Sequence, residues 1–331
     1  MIEVLRAGPT SAVQDLGRPG YARSGISRAG AADRWALRIA NLLVGNPEGA
    51  AALELTTGTA LRFEADHLVA LSGADLSADL EGLPLPLHRP VRVRAGEILR
   101  LGAPRSGVRA YLAVAGGLDL PLDLGSRATD LRAGLGGLGG RALRAGDVLA
   151  VGQSSDWAQG WTKWLARRAR RATSWALDPD LLPRYSRAPV LRAVPGPEEA
   201  EFARHSREAF WRDAYEVTRL ADRVGVRLEG ASLIRREARE LLSGAVVPGV
   251  VQVPPGGQPL VLSVEAQTLG GYPRIAVVAS VDLPLLVQLA PGHLVRFERT
   301  TPEEARAARA RLAARLSSLR ATLSEWRAER A

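Results

Sequence analysis

At 331 residues the chain is longer than one typical domain, and with 46% hydrophobic and 24% charged residues it can bury two globular cores. It contains no cysteine, which excludes disulfides, thiolate metal sites and cysteine nucleophiles. The net charge is +9, but Lys163 is the only lysine among 44 basic residues. The excess therefore reflects arginine usage more than a phosphate-binding surface, and we expect no nucleic-acid partner.

The sequence also argues against several kinds of targeting and of site. Its N-terminus has no basic start followed by an apolar stretch, and no apolar run approaches the about 20 residues that cross a bilayer. We therefore expect a cytoplasmic protein without a membrane segment. Lys163 completes no Gly-x-x-x-x-Gly-Lys loop, so no Walker A site for ATP is present. The four histidines stand singly, so no metal site is expected.

In chain order, the first predicted element is a helix over residues 31–44, which Gly45-Asn46-Pro47 ends. Strands follow. A strand, a turn and a second strand are predicted over 91–101, and the same turn and strand recur over 144–151 and 290–297.

Each of these turns should hold its glycine at positive φ: Gly96, Gly146 and Gly292. Further helices are predicted over 198–211 and 302–330. The pattern as a whole indicates a mainly β protein of two antiparallel β-barrel lobes with a few helices.

We place the lobes at residues 1–152 and 188–300, with a connecting segment at 153–187 and a C-terminal helix at 301–331. The connecting segment is rich in arginine and tryptophan, and its first three tryptophans fall on one helical face. Either this helix packs over a lobe, or it is a docking surface for another subunit, since tryptophan and arginine are favoured at interfaces.

Polar residues collect in loops that glycine and proline hold rigid. Gln14, Asp15 and Arg18 lie in the first, and Ser126, Arg127, Thr129 and Asp130 precede a glycine-rich stretch over 134–140. The first loop is either closed by an Asp–Arg pair or presents its groups to a small polar substrate. The glycine-rich stretch is a candidate anion cradle of backbone N–H groups, or an ordinary barrel hairpin.

A third polar loop surrounds Gly270-Gly271. Gln267, Thr268 and Tyr272 supply neutral hydrogen-bonding groups there, which suit an amide or a lactam better than a highly charged ligand. We expect these loops to line one cleft, although each loop equally well stabilises its own lobe.

Taken together, these segments resemble the KipA family, whose other names are the C subunit of 5-oxoprolinase, allophanate hydrolase subunit 2 and part of the carboxyltransferase region of urea carboxylase. The likeness runs from about residue 2 to 299 and rests on Val-Gln-Asp-Leu-Gly-Arg-Pro-Gly (13–20), Ala-Asn-Leu-Leu-Val-Gly-Asn (40–46), Leu-Glu-Leu-Thr (53–56), Tyr-Leu-Ala-Val-Ala-Gly-Gly (111–117), Gly-Ser-Arg-Ala-Thr-Asp (125–130) and Gln-Thr-Leu-Gly-Gly-Tyr-Pro-Arg (267–274). Ala29 and Ala221 stand where the family usually has serine, which weakens any serine chemistry there.

The resemblance implies cyclophilin-like β-barrel lobes and a role as one subunit of an ATP-dependent 5-oxoprolinase. The partners would be a KipI-type B subunit and a LamB/YcsF-type A subunit, and the reaction the opening of 5-oxo-L-proline to L-glutamate. ATP, with Mg²⁺, is implied as cofactor, held either by this chain or by a partner subunit.

Within that hypothesis, cationic side chains would stabilise a developing oxyanion, and carboxylates would orient water or bind magnesium. The candidate catalytic residues are Asp15, Arg18, Arg127, Asp130, Asp222 and Arg223. The candidate substrate-binding residues are Gln14, Gly116, Gly117, Ser126, Gln252, Gln267, Thr268 and Tyr272.

Two other functions stay open on the sequence. One is a biotin-dependent carboxyltransferase component like that of urea carboxylase, with the biotin carried by another protein. The other is a non-enzymatic regulatory protein that binds a KipI-type partner.

Overall fold

A computed structural model describes residues 1–237 and 240–328, with only the backbone described for 324–328. The predicted mainly β architecture is confirmed. The chain divides into two compact units: the first comprises Met1–Arg18, Ala29–Pro183 and the C-terminal stretch from Ala314, and the second comprises Pro19–Arg28 and Arg184–Ala313.

The first unit consists of two antiparallel sheets, of six and five strands, with a shared apolar core that includes Phe63, Leu71 and Leu112. Two helices belong to it, α1 (Arg34–Leu43) and α2 (Asp156–Arg167). Its strands are β1 (Ile2–Arg6), β2 (Ala12–Gln14), β3 (Ala52–Leu55), β4 (Ala60–Phe63), β5 (His67–Asp75), β6 (Asp79–Leu80), β7 (Leu83–Pro84), β8 (Val91–Val93), β9 (Ile98–Arg100), β10 (Ser106–Val114) and β11 (Val148–Leu149). The six-stranded sheet runs β11-β1-β4-β9-β6-β7 and the five-stranded sheet runs β2-β3-β10-β5-β8.

The second unit is built on a closed barrel around a core that includes Phe202, Phe210 and Phe297. Its strands are β12 (Val190–Pro195), β13 (Tyr215–Val217), β14 (Gly225–Glu229), β15 (Gly244–Ala245), β16 (Val250–Gln252), β17 (Leu260–Leu262), β18 (Leu269–Gly270), β19 (Arg274–Val278) and β20 (Leu294–Arg299). Helices α3 (Arg204–Arg212) and α4 (Leu283–Val287) belong to it, and α5 (Pro302–Ala328) begins in it.

The barrel runs β12-β19-β16-β17-β14-β13-β20 and closes through β12 and β20. That closing pair is parallel, with Val190 opposite Arg296, although the sequence pattern indicates antiparallel strands throughout. β15 and β18 form a separate two-stranded ribbon, which carries the Gly270 turn.

The structure shifts the predicted helix limits for local reasons. α1 begins at Arg34 because the Asp33 carboxylate caps it, accepting from the N–H groups of Trp35 (3.1 Å) and Ala36 (2.9 Å). The helix predicted over 198–211 is a 3₁₀ turn, Glu199–Glu201, followed by α3, because the extended Phe202 between them is buried in the barrel core. Residues 329 and 330 of the last predicted helix lie outside the described residues.

The Trp/Arg-rich segment packs on the first unit. Trp161 and Leu165 of α2 are buried, and the Arg171 carbonyl accepts from the N–H of Arg92 in β8 at 2.7 Å. The rings of Trp157 and Trp164 each meet Trp161 edge-on, at 6.2 and 5.2 Å between centroids. The three tryptophans therefore share a helical face, as predicted, and the middle one contributes to packing.

Candidate functional site

The loop after β2 is joined to the segment 125–130 by Asp15. This carboxylate accepts from the Ser126 hydroxyl (2.7 Å), the Arg127 N–H (2.6 Å) and the N–H of Gly17 (2.7 Å). Two of the motifs that carry the family likeness therefore meet, although they lie more than 100 residues apart in sequence. The predicted alternative of an Asp–Arg pair closing the loop is wrong for Asp15, because its carboxylate oxygens are engaged by these three donors.

Arg18 is buried among backbone carbonyls. Its guanidinium donates through Nη2 to the carbonyl of Ala128 and through Nε, at 3.5 Å, to that of Asp123. The third nitrogen, Nη1, is buried and has no hydrogen-bond partner in the described part of the chain. A buried charged donor without a partner is costly, so this nitrogen is available for an acceptor that the protein itself does not supply.

Two more buried polar atoms of the same cluster lack a partner among the described residues. Gln14 donates through Nε2 to the Thr129 carbonyl at 3.0 Å, but its Oε1 accepts nothing, and the Thr129 hydroxyl is likewise unpaired. One cationic donor, one amide acceptor and one hydroxyl thus have no hydrogen-bond partner among the described residues, at the place where motifs 13–20 and 125–130 meet. We call these atoms of Gln14, Arg18 and Thr129 the amide–guanidinium cluster.

The glycine-rich stretch over 134–140 lies against this cluster. A Cβ on Gly136 would stand 2.1 Å from the Ala128 carbonyl oxygen and 2.7 Å from Arg18 Nη2, and one on Gly137 would stand 2.0 Å from the Thr129 hydroxyl. Only glycine permits so close an approach. The stretch therefore packs directly on the cluster and covers it.

Of the two alternatives that the sequence leaves open for this stretch, the structure does not support the anion cradle. Its N–H groups are used internally: Gly134 donates to Asp130, Gly137 to Arg127 and Gly140 to Gly136, all at backbone carbonyls. Gly136 donates to the Asp123 carboxylate. These residues do not fit a nucleotide phosphate, so no step involving ATP is assigned to them.

The remaining candidates near this cluster have structural partners. The Asp130 carboxylate accepts from the N–H groups of Arg132 (3.1 Å) and Ala133 (2.9 Å), which holds a turn. Arg127 donates to the Leu120 carbonyl at 2.6 Å and is partly exposed. A catalytic role for Arg127 or Asp130 stays a prediction.

Gly116 and Gly117 form the turn after β10. The N–H of Gly116 donates to the Asn46 side chain at 2.9 Å, and that of Gly117 to the Val114 carbonyl at 2.8 Å. Asn46 also donates to the Val114 carbonyl, so motif 40–46 holds motif 111–117 in place. The backbone donors of both glycines are thus occupied within the fold, and substrate contact by them stays a prediction.

In the second unit, Gln252 and Gln267 lie together. The Gln267 amide donates to Gln252 Oε1 at 3.4 Å, whereas Gln252 Nε2 is buried with no partner among the described residues. A Cβ on Gly270 would stand 2.5 Å from that nitrogen. The Thr268 carbonyl accepts from the N–H of Val246, and Tyr272 is exposed. Two neutral amide groups thus meet at the Gly270 turn, and binding of substrate by these residues stays a prediction.

Arg223 and Asp222 have separate roles. Arg223 forms a fully buried ion pair with Glu265, whereas Asp222 accepts from the N–H groups of Val224 (2.8 Å) and Gly225 (2.9 Å). The Arg223–Glu265 pair was not predicted, because the sequence pattern gives no signal for a partner 42 residues away. A catalytic role for Asp222 and Arg223 stays a prediction.

A further buried network was not predicted, although two of its residues, Glu54 and Tyr111, lie in motifs that carry the family likeness. Tyr111 donates its hydroxyl to Glu54 at 2.7 Å and accepts from the N–H of Asp33 at 2.8 Å. Burial, followed by the charges of Glu54 and Asp33, raises the pKa of Tyr111 well above its usual value. The network anchors the start of α1 to β3 and β10.

Two absences among the described residues bear on cofactors and membranes. Across residues 1–237 and 240–328, no three histidine or acidic side chains gather in a way that could hold a metal ion. Over the same ranges, no helix is both long and apolar enough to cross a membrane.

The mainly β fold and its glycine-bounded polar loops define a known class. The chain belongs to the carboxyltransferase domain family, subdomains A and B, whose model matches residues 24–299. It is 45% identical to the C subunit of 5-oxoprolinase from Escherichia coli over 313 residues, 93% of this chain and 94% of that protein. It is 38% identical to the C subunit of 5-oxoprolinase from Haemophilus influenzae over 311 residues, 92% of this chain and 93% of that protein.

Among solved structures, the urea carboxylase of Kluyveromyces lactis is similar, with a TM-score of 0.86 and 30% identity. The alignment covers 96% of this chain but 29% of that one. The chain is therefore similar over nearly the whole length of the bacterial subunits, and over less than a third of the K. lactis enzyme.

Proposed function

We propose that this chain is the C subunit of an ATP-dependent 5-oxoprolinase that opens 5-oxo-L-proline to L-glutamate. The observation that carries the proposal is the 45% identity to the E. coli protein of that name over 94% of its length. We further propose that it acts in the cytoplasm with a KipI-type B subunit and a LamB/YcsF-type A subunit.

The chemistry calls for donors preorganised around a carbonyl oxygen. A lactam is an unreactive amide, and opening it places negative charge on that oxygen, which fixed cations and N–H groups stabilise. The amide–guanidinium cluster offers Arg18 Nη1, the Thr129 hydroxyl and the Gln14 amide oxygen, which suit the carbonyl and N–H of a cyclic amide. We propose that Arg18 polarises the lactam carbonyl while Gln14 accepts from the ring N–H.

Asp15 and Ser126 position these groups. Their mutual hydrogen bond ties the Arg18 loop to the segment that carries Thr129. We propose that the stretch over 134–140 moves aside to admit the substrate, because in the described conformation it covers the cluster.

ATP, when bound to the complex, supplies the driving force by activating the lactam carbonyl oxygen. We place its site in a partner subunit, since the chain has no Walker A lysine and the glycine N–H groups over 134–140 are engaged. The isolated chain should then show little 5-oxoproline-dependent ATP hydrolysis.

Reconstitution tests the proposal. ATP hydrolysis dependent on 5-oxo-L-proline is measured with the chain alone, with candidate A and B subunits alone, and with all three. Activity only in the complete mixture is expected, with glutamate formed in step with ADP. Robust activity from the isolated chain, or an unchanged rate when it is omitted, would overturn the assignment.

A matched pair of variants then tests the site. Arg18→Lys keeps the charge but loses the planar fork, and we expect kcat to fall about a hundredfold in the complex, as when one oxyanion donor is removed. Arg105→Lys is the control. It alters an exposed arginine whose ion pair with Asp75 is long, at 4.0 Å, and it should leave kcat unchanged. Equal activity of a normally folded Arg18→Lys protein would remove Arg18 from the mechanism.

A second candidate function is biotin-dependent carboxyl transfer, which the likeness to K. lactis urea carboxylase favours. The biotin would come from another protein, because Lys163 lies between tryptophans and not in a biotinylation sequence. Avidin separates the two candidates: it should abolish activity that depends on biotin and leave 5-oxoproline-dependent ATP hydrolysis intact.

A further inference from the structure

A cavity of about 170 Å³ lies in the first unit, away in sequence from the amide–guanidinium cluster but beside the Gly116–Gly117 turn, whose neighbour Ala115 is part of its lining. The lining also includes Asp66 just before β5, His67 at the start of β5, Ser154 before α2, and Gln159 and Lys163 in α2. Since a water molecule takes up about 30 Å³ of the liquid, the space suits a metabolite of amino-acid size better than a drug-sized ligand.

Lys163 gives this cavity a positive charge. It is the only lysine in a chain that otherwise uses arginine, and it has no ion-pair or hydrogen-bond partner within the described ranges. Gln159 precedes it by one helical turn, so both side chains project from the same face of α2. Lys163 thus places a compact ammonium with three donors beside the cavity.

His67 adds a neutral polar group. Burial, together with the positive N-terminal amino group, lowers its pKa to about 4, so the imidazole is uncharged at neutral pH. Its Nε2 is buried and has no hydrogen-bond partner in the described structure. Because this nitrogen has essentially no exposed surface, His67 contributes a neutral wall to the cavity and not a hydrogen bond to its contents.

The one carboxylate in the lining does not cancel the charge of Lys163. Asp66 accepts from Arg92 at 2.5 Å and from the N–H of Ala95 at 3.0 Å. The Arg92 guanidinium therefore balances Asp66. What remains toward the cavity is an ammonium, an imidazole and the Ser154 hydroxyl.

We propose that this cavity is a binding site for a small organic carboxylate of amino-acid size, held by Lys163 and Ser154 beside the uncharged ring of His67. Lys163 pairs with the carboxylate, and the Ser154 hydroxyl donates to it. Such a site lies outside the amide–guanidinium cluster and is independent of the proposed ring-opening chemistry.

The single lysine provides a direct probe. Protein grown with ¹³C-labelled lysine gives one side-chain CεH₂ signal, that of Lys163, which is followed by NMR as L-glutamate or 5-oxo-L-proline is added. A saturable shift with at least one of these carboxylates is expected. No shift should appear with 2-pyrrolidinone, which has the lactam ring without the carboxylate.

Several results would overturn the site. These are no saturable shift with either carboxylate, the same shift with 2-pyrrolidinone, and the same shift with sodium chloride or inorganic phosphate at equal ionic strength. Loss of the shift in an Arg18→Gln protein, which keeps Lys163 as the single lysine, would also overturn it, because Lys163 would then report on ligand bound at the proposed active site.

Variants assign the contacts, with affinity for the shifting carboxylate measured by calorimetry. Lys163→Ala should weaken binding about tenfold, the usual loss for a partly exposed charged hydrogen bond. Lys163→Arg should weaken it less, since the charge remains. Arg167→Ala, which removes an exposed cation one turn along α2, is the matched control and should bind normally. An unchanged affinity of Lys163→Ala would exclude this cavity.

Discussion

Buried and exposed arginine ion pairs differ in how much they contribute to stability. Arg223 and Glu265 form a buried pair. Its side chains are 4% and 2% exposed, so the loss of Arg223 would remove an ion-pair partner from a buried carboxylate. We expect Arg223→Ala to lower the free energy of unfolding by about 3–5 kcal/mol, measured by urea denaturation. The control is Arg204→Ala, which breaks an exposed pair with Glu208 and should leave the stability nearly unchanged.

A normal stability of Arg223→Ala would contradict the buried ion pair. If the variant is destabilised, Glu265→Gln separates packing from charge, since it keeps the shape and a hydrogen-bond acceptor. Catalysis by Arg223 is tested only in protein that is shown to be folded at the assay temperature.

His88 makes the stability of the chain depend on pH. Burial, offset in part by Asp75, lowers its pKa from 6.5 to about 4, and its Nδ1 lies 3.0 Å from the Ser72 hydroxyl. The unfolded state therefore binds the proton more readily than the folded state does. The contribution of neutral His88 to the free energy of unfolding is complete above pH 6.5 and is lost as the pH falls toward about 4. Asn accepts the left-handed backbone of His88, where φ is 57°, without titrating.

The expected outcome is a smaller acid destabilisation in His88→Asn than in the parent chain. The difference in unfolding free energy between neutral pH and pH near 4 should shrink by about 2 kcal/mol. His67 is present in both proteins, so its own titration cancels in the comparison. Identical pH profiles would show that His88 is not buried in its neutral form.

Residue identities in the candidate site were predictable, but their partners were not. Gln14, Asp15 and Arg18 attract attention because polar groups in a rigid loop have few structural uses. Their contacts with Ser126, Arg127 and Thr129 join residues more than 100 positions apart in sequence, and no local sequence pattern encodes such contacts. For that reason the sequence predicts chemistry for Asp15, whereas the structure shows it bound to backbone and hydroxyl donors.

At the scale of elements, the glycine turns were the most predictable features. Gly96, Gly146 and Gly292 have φ values of 85°, 88° and 84°, which confirms the predicted positive φ. A tight turn is decided by a few adjacent residues, so its sequence suffices. The parallel closure of the barrel by β12 and β20 joins strands about 100 residues apart and had no such local signal.

Gly136 and Gly134 offer a matched test of the cover over the amide–guanidinium cluster. Both have positive φ, at 68° and 67°, so alanine strains the backbone equally at either position. A Cβ at Gly134 meets nothing within 4 Å, whereas one at Gly136 collides with the Ala128 carbonyl. Gly134→Ala should cost about 1 kcal/mol and Gly136→Ala distinctly more, by urea denaturation.

The two variants should also differ in the complex. Gly136→Ala displaces Arg18 and should lower 5-oxoproline-dependent activity well below that of Gly134→Ala. Equal stability and activity of the two proteins would show that the stretch does not pack on the cluster.

Helix α5 begins with a reciprocal cap. The Thr301 hydroxyl accepts from the N–H of Glu304 at 3.1 Å, and the Glu304 carboxylate accepts from the N–H of Thr301 at 2.9 Å. That backbone bond, with the Thr300 and Thr301 hydroxyls, lowers the pKa of Glu304. Thr301→Ala should cost about 1 kcal/mol in thermal unfolding, and Thr301→Ser should restore most of it.

For the whole molecule, the domain boundaries were the hardest feature to predict. A division at residues 152 and 187 assumes that each lobe is one continuous stretch. In the structure, Pro19–Arg28 belongs to the second unit, and the segment up to Pro183 belongs to the first. Early residues that join a later unit leave no change in composition, so the sequence does not reveal them.

The positive charge of the chain is also a property of the whole molecule. Many arginines are committed to carboxylates: Arg274 binds Glu198 through two nitrogens, at 2.8 and 2.6 Å. Arg192 binds Asp282 in the same way, at 2.8 and 2.6 Å. An arginine held by a carboxylate releases few counterions on meeting a phosphate, so the net charge of +9 overstates the affinity for nucleic acid.

We therefore expect only weak binding of duplex DNA or RNA, which disappears near physiological salt. Fluorescence anisotropy of a labelled duplex across a range of salt concentrations measures this, with heparin as a competitor. Non-specific binding by a few uncommitted arginines should be weak, should fall with salt in proportion to their small number, and should show no preference for sequence. Nanomolar, sequence-selective binding at about 150 mM salt would contradict it, because it would require a phosphate-binding surface that the ion pairs leave free.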